Sequence, residues 1–262
     1  FALRFIFSTV QAYSSHLDYT KNSEGSEFYW AASVLDSYFM NTESDDPRYN
    51  KAKLEFYSLK NKFNIETDNE NKELPLIYKN NITEEEKNSF IRVLKNRKSV
   101  RWFKKTQIEL ATLKEALEMA SLAPSSCNRQ PYRYVIVNDE DKAKKVASIS
   151  AGTVGWSENV NCIAVLVADQ SAFSNVANRH SIYVDSTLSV MPFILSLESQ
   201  GLSTCIINWA DIPQKERDMK GLLHLKENER VILSIAIGYA EDDILVPFSK
   251  RKYSDELAEV VK

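Results

Sequence analysis

The sequence predicts a domain that combines helices with a small β-sheet, preceded by a helical extension. Runs of β-branched and apolar residues, which are typical of strands, occupy residues 132–137, 161–168, 203–208 and 231–238. Segments with the apolar spacing of helices lie between these runs. Residues 1–82 are rich in aromatic residues and show helical stretches punctuated by Ser, Asn, Asp, Glu and Lys.

The extension and the main domain are expected to be separate. Helical patterns in the extension cover about 26–40 and 48–63. The run 66–73 has no apolar periodicity and is typical of an exposed linker. We therefore predict a helical extension with its linker at 1–82 and the main domain at 83–262.

Capping boxes mark the first two helices of the main domain. Thr83, with a Glu three residues later, predicts a helix over about 84–96. Thr112, also followed by Glu at the third position, predicts the start of a second helix, which Pro124 ends.

The later helices are marked by apolar content and by proline. A mostly apolar helix is predicted over 181–200, kinked at Pro192 and suited to the core or to a dimer interface. Asp211 is a candidate N-cap for the next helix, with Pro213 in its first turn. A short helix is predicted near the C-terminus.

Charge and cysteine content exclude several classes of protein. The 262 residues carry a net charge of -3 with dispersed cations, so no basic footprint for a nucleic acid exists. Three widely spaced cysteines fit neither a disulfide framework nor a zinc site. No run approaches the roughly 20 apolar residues of a membrane span. We expect a soluble protein of the reducing cytoplasm; the sequence begins at Phe1, so a processed start stays open.

Segment 123–132, Ala-Pro-Ser-Ser-Cys-Asn-Arg-Gln-Pro-Tyr, lies between a helix and the first strand. Its two prolines favour a rigid turn, and the residues between them offer hydroxyls, side-chain amides and free backbone N–H groups. Such donors suit the carbonyls and ring nitrogens of a planar heterocycle. Taken alone, the segment is more typical of an ordinary helix-to-strand loop with Asx and Ser turns.

Two basic segments are candidate phosphate sites. In an extended chain Arg97, Ser99 and Arg101 share one face, and two guanidinium groups flanking a hydroxyl suit a phosphate. The alternative is positive charge that complements the end of a helix dipole. Residues 250–252 are three consecutive cations, which are otherwise typical of a solvated tail.

These segments, together with Gly-Leu-Ser-Thr-Cys at 201–205, occur in an order that resembles the nitroreductase family of FMN-dependent oxidoreductases. The resemblance covers about residues 91–262. Iodotyrosine deiodinases share the same fold and are possible relatives. The resemblance implies an α+β, nitroreductase-like fold with a mixed central sheet surrounded by helices. It also implies an intertwined homodimer with FMN at the subunit interface.

The resemblance assigns three groups of cofactor-binding residues. The FMN phosphate would be bound by Arg97, Lys98, Ser99, Arg101, Lys250 and Arg251. The flavin ring would lie against Pro124, Ser125, Ser126, Cys127 and Asn128. The N5 edge of the flavin would be approached by Asn208 and Trp209.

The functional prediction is therefore an enzyme in which NADH or NADPH reduces FMN, which then reduces a nitroaromatic, a quinone or a similar acceptor by a ping-pong mechanism. No Gly-x-Gly-x-x-Gly follows a strand, so the nicotinamide is expected to bind transiently. No catalytic acid or base and no metal ligand is nominated. Two alternatives stay open: a specialised reductive dehalogenase or biosynthetic dehydrogenase, and a flavin-binding sensor or store without turnover.

Overall fold

The computed structural model describes residues 2–16, 26–67 and 79–261. The chain divides into two compact units, Phe1–Asn81 and Ile82–Lys262, and the predicted boundary lay between residues 82 and 83. Of the predicted linker 66–73, residues 68–73 lie outside the described part of the chain.

The first unit contains three helices: α1 (Ile6–His16), α2 (Ser26–Asn41) and α3 (Pro47–Phe63). Pro47 occupies the first turn of α3 behind the N-cap Asp46. Aromatic side chains such as Phe39 and Phe56 fill the core of the unit. The buried Asp36 carboxylate accepts hydrogen bonds from Lys60 Nζ at 2.6 Å and from Thr67 Oγ1 at 2.7 Å.

The second unit is built on a four-stranded sheet in the order β1-β2-β4-β3. Its strands are β1 (Tyr132–Val137), β2 (Cys162–Asp169), β3 (Ser203–Asn208) and β4 (Glu229–Gly238). All three pairings between these strands are antiparallel. The predicted runs therefore lie within two residues of the observed strands.

The sheet is antiparallel rather than mixed in these four strands. Segment 97–103 runs extended beside β3, but among the described residues its parallel pairing is a single bridge, between Ser99 and Thr204. Its other bridge, between Phe103 and Ala240, is antiparallel. Because the segment forms one bridge to Thr204 and one to Ala240, it is a contact at the edge of the sheet and not a fifth strand.

Helices cover both faces of the sheet. They are α4 (Glu84–Asn96), α5 (Leu110–Ser121), α6 (Glu140–Ile149), α7 (Ser181–Leu188), α8 (Val190–Ser199), α9 (Pro213–Leu223) and α10 (Ser254–Leu257). The prediction for α4 and its capping box is confirmed. Within the described ranges, no helix has both the length and the apolar character needed to cross a membrane.

Three predicted helix details are wrong. Helix α5 begins at Leu110, so Thr112 lies inside its first turn and does not cap it. The long helix breaks at Ser189, because a new start there places Pro192 in the first turn of α8, where its missing N–H needs no partner. Asp211 does not cap α9; it pairs with Arg230.

Strand β2 is buried on both faces, and its alternate residues divide the core in two. Ile163, Val165 and Val167 pack with side chains of α6 and α9. Cys162, Ala164 and Leu166 pack with side chains of α5 and α8. The predicted cofactor-binding residues lie instead at the ends and edges of the sheet.

Gly238, the last residue of β4, gives Phe103 room to pack against the sheet. A Cβ atom at this position would lie 2.6 to 2.8 Å from three atoms of Phe103, including its Cβ. These atoms lie near the main chain and cannot swing away. The glycine thus lets segment 97–103 lie against the sheet edge.

Gly238→Ala is expected to lower the free energy of unfolding by about 1–3 kcal/mol, the usual cost of overpacking. Thermal or urea unfolding measures the change. The control is Gly221→Ala in α9, where an added Cβ meets nothing within 4 Å. That variant should be neutral or slightly more stable, because alanine favours a helix over glycine. Equal stability of both variants would contradict the packing argument.

Candidate functional site

A cationic cavity of about 500 Å³ lies where the chain leaves α4. Arg97 is the C-cap residue of this helix, and Asn96 Nδ2 donates to Glu198 Oε1 at 2.7 Å, which ties the helix end to α8. Val100 N then donates to the carbonyl of Thr204 at 3.1 Å, which holds the segment against β3. Five of the predicted phosphate-binding residues line the cavity: Arg97, Lys98, Ser99, Arg101 and Arg251.

Three guanidinium groups give the cavity its charge. Among the described residues, no carboxylate forms a salt bridge with Arg97, Arg101 or Arg251. Arg101 lies over the ring of Trp156, 5.7 Å from its centroid. Arg251 donates to the carbonyl of Ser249 at 3.1 Å. These groups retain donors for an anion.

The two predicted lysines differ from these arginines. Lys98 Nζ donates to the carbonyl of Asn96 at 3.1 Å and to that of Lys95, so it caps the C-terminus of α4. The helix-dipole interpretation therefore describes Lys98. Lys250 is not among the lining residues of the cavity; its ammonium lies 5.7 Å from the ring centroid of Tyr253.

Thr204 adds an unused polar atom beside the Ser99 bridge. Its Oγ1 is buried and has no hydrogen-bond partner among the described residues. A buried hydroxyl without a partner is costly, so it marks a place for a polar ligand or a water. Burial raises the pKa of the neighbouring Cys205 thiol, while Arg101 and Arg97 oppose that rise. An anion therefore fits this donor set.

The loop at 124–130 forms the second group of predicted residues. Ser126–Asn128 is a short 3-10 turn, and Gln130 N donates to Ser125 Oγ at 3.0 Å. Pro124, Ser126, Cys127 and Asn128 are exposed, and Ser125 is half-buried. Three residues have left-handed backbone angles, with φ of 54° at Cys127, 52° at Asn128 and 46° at Gln130.

Helix α7 anchors this loop. The Asp185 carboxylate accepts from Ser126 N at 3.0 Å and from Ser126 Oγ at 3.2 Å. Arg129 Nη1 donates to the carbonyl of Ala172 at 2.9 Å, and Asp169 N donates to that of Pro131 at 2.9 Å. The loop is therefore held at the end of the sheet where β1 begins and β2 ends.

The third group lies at the end of β3. Asn208 is exposed on the sheet edge. Trp209 is buried, and its Nε1 donates to Glu216 Oε2 at 2.8 Å. The Trp209 side chain is thus a core group, and only its main chain could approach a ligand.

The cavity and the loop lie at opposite corners of the sheet. Tyr132 on β1 is level with Arg230 on β4, whereas Thr204 on β3 pairs with Ile237. These levels differ by about 23 Å along the strands, and β1 and β3 are about 14 Å apart across the sheet. Thr204 and Asn208, by contrast, lie on one strand about 13 Å apart. Within one chain, the cavity and Asn208 therefore lie at the same edge of the sheet. The loop at 124–130 lies at the opposite edge.

Two residues of these sites were not predicted from the sequence. Asp185 follows the apolar residues Ile182-Tyr183-Val184, and an acidic residue within an apolar helix was the available signal. In the sequence Thr204 stands out only as part of the 201–205 motif, and only the structure shows that its hydroxyl has no hydrogen-bond partner among the described residues.

These features define an α+β protein with a cationic cavity at the sheet edge. The sequence model described as the nitroreductase family matches residues 94–159 and 153–239. The chain therefore belongs to the nitroreductase family, a family of oxidoreductases. Both the fold class and the resemblance predicted from the sequence are confirmed.

Individual relatives agree with this assignment. The chain is 23% identical over 193 residues to iodotyrosine dehalogenase 1 homolog of Caenorhabditis elegans, covering 62% of this chain but only 58% of that protein. It is 28% identical over 171 residues to iodotyrosine deiodinase of Thermotoga neapolitana, covering 56% of this chain and 87% of that one. An FMN-dependent nitroreductase structure from Clostridium difficile superposes with a TM-score of 0.56 at 21% identity, covering 66% of this chain and 99% of that chain.

Cys127 should be the one fast-reacting thiol of the folded protein. It is exposed, whereas Cys162 and Cys205 are buried and burial raises the pKa of Cys162 to about 12. Labelling near pH 8 should modify one thiol quickly, and all three in denaturant. Cys127→Ser should remove the fast phase, and a fast phase that persists in this variant would contradict the assignment.

Proposed function

We propose that the protein is an FMN-dependent oxidoreductase that uses NADH or NADPH to reduce a nitroaromatic, a quinone or a similar electron-poor compound. The observation that carries the proposal is the cavity lined by three guanidinium groups that form no salt bridge with any carboxylate of the described residues. Family membership supports the choice of FMN as the ligand, and the C. difficile structure is described as an FMN-dependent nitroreductase.

The chain's own residues bind and orient the cofactor in this proposal. Arg97, Arg101 and Arg251 bind the phosphate, and Ser99 adds a hydroxyl. Asn208, on the same edge of the sheet, approaches the flavin ring. When bound, FMN supplies hydride transfer from the nicotinamide and then to the acceptor in a ping-pong sequence. No side chain is required as an acid or base.

The loop at 124–130 reaches this flavin from a second copy of the chain. Tyr132 beside the loop and Thr204 beside the cavity lie farther apart than the length of an FMN molecule, which supports a site shared between two chains. Apolar side chains left exposed in this unit support association, among them Phe90 and Leu94 of α4 and Phe248, which is 94% exposed. A homodimer with FMN at the subunit interface follows.

A second candidate activity is reductive dehalogenation, since two of the relatives are named iodotyrosine dehalogenase or deiodinase. A flavin-binding protein without turnover is the third. Anaerobic absorbance spectroscopy distinguishes turnover from binding alone. Flavin bands that bleach with NADH or NADPH support the reductase, and reoxidation by a nitroaromatic or quinone, or by iodotyrosine, identifies the acceptor class. A protein that binds no FMN would overturn the proposal.

Arg97→Ala combined with Arg251→Ala is expected to give folded, colourless protein. Charge-assisted hydrogen bonds contribute about 1.5 kcal/mol or more each, so FMN affinity should fall about 100-fold or more. Quenching of FMN fluorescence measures the affinity. The control, Arg92→Ala with Lys252→Ala, removes the same charge outside the cavity lining and should stay yellow. Full FMN retention in the Arg97→Ala, Arg251→Ala variant would contradict the assignment of these residues to the phosphate.

Complementation tests the two-chain site. The Arg97/Arg251 double variant has intact loops, and a Ser126→Ala, Asn128→Ala variant has intact cavities. Co-expressed with different tags and purified as heterodimers, the two should regain one FMN per dimer, because one site combines an intact cavity with an intact loop. A site formed within one chain would regain none.

A further inference from the structure

Asp185 is a buried carboxylate that the mechanism does not use. It is 2% exposed within α7, and the two hydrogen bonds that it accepts from described residues both come from Ser126. We propose that Asp185 is a positioning residue that holds the loop at 124–130 in its cofactor-binding shape by acting through Ser126. This inference rests on the proposed flavin function.

The anchoring is bidentate and local. A buried carboxylate is tolerated when hydrogen bonds satisfy it, and here one residue supplies both a backbone N–H and a hydroxyl donor. Among the described residues no cation forms a salt bridge with Asp185. The carboxylate therefore does not serve an ion pair of the core, and its two bonds fix a single point of the loop.

That point lies directly before the strained part of the loop. Cys127 and Asn128 have φ of 54° and 52°, a region that residues other than glycine rarely adopt. Such conformations persist where the surroundings over-determine them. The Asp185 bonds hold the residue before the left-handed pair, and the Gln130 N to Ser125 Oγ bond closes the loop behind it.

The residues that Asp185 anchors lie at the surface of the unit and not in its core. Ser126, Cys127 and Asn128 are exposed, so the hydrogen bonds to Asp185 contribute little to the burial of apolar surface. It fixes the direction of exposed donors instead. Loss of the anchor should therefore affect ligand binding more than global stability.

The test uses Asp185→Ala, Asp185→Asn, Ser126→Ala and the Asp185→Ala, Ser126→Ala double variant of the full chain. Two readouts are FMN dissociation constants from fluorescence quenching and amide hydrogen exchange at 126–128 without added FMN. Asp185→Ala should weaken FMN binding and speed the local exchange about tenfold or more. Asp185→Asn keeps an acceptor and a donor of the same shape, so it should restore affinity to within about threefold.

The double variant tests whether Asp185 acts through Ser126. The combined loss of FMN affinity should be smaller than the sum of the two single losses, because the two residues share the hydroxyl–carboxylate hydrogen bond. The control is Asn138→Ala, which removes a 2.9 Å hydrogen bond to the Ile108 carbonyl at the opposite end of β1. This control should leave FMN affinity and loop exchange unchanged.

The outcomes separate the inference from the proposed function. If wild-type protein binds FMN and Asp185→Ala binds it equally well, the inference is wrong and the function stands. If exchange accelerates equally at all amides, Asp185 is only structural and the inference is also wrong. If wild-type protein binds no FMN, the proposed function is wrong, and the inference that rests on it is wrong as well. Should Asp185→Ala not fold, Ser126→Ala and Asp185→Asn give the same comparison.

Discussion

Burial of β2 on both faces is the constraint on which the second unit depends. A strand in which nearly every residue is buried needs an apolar layer on each side, so α5 and α8 must cover one face and α6 and α9 the other. Charged side chains are costly in either layer unless they are hydrogen-bonded, as Glu216 is to Trp209. Ligand-binding groups are therefore left at strand ends and at the outer edges, where the candidate residues lie.

The β3 edge is made into a site by a chain segment that only partly joins the sheet. Segment 97–103 is held at Ser99 and at Phe103, and Gly238 provides the space for Phe103. A full fifth strand would commit its backbone donors to a ladder. Two isolated bridges instead fix the direction of the segment and leave its cationic side chains around a cavity.

Local patterns predicted most of this fold, because strands and caps are local. The four strands and α4 were found within two residues, since β-branched runs and the Thr83 capping box are signals carried by a few neighbouring residues. Helix α6 was missed although Asp139 caps it, because its apolar stripe of Ala143, Val146 and Ala147 is short. The roles of Lys98, Trp209 and Asp185 could not be predicted, because each depends on a partner that the fold brings close. The sequence places Lys98 among phosphate cations, and only geometry shows it capping α4.

The separation of cavity and loop has a thermodynamic consequence. In the proposed site FMN contacts two chains, so it binds the pair and not the separated copies. Ligand binding and association are then linked, and each strengthens the other by the same factor. In the proposed dimer, exposed apolar side chains of α4 and of the C-terminal segment would become buried in the same step. In the proposed site the cofactor and the second chain are therefore bound together, because one chain supplies the phosphate contacts and the other supplies the loop contacts.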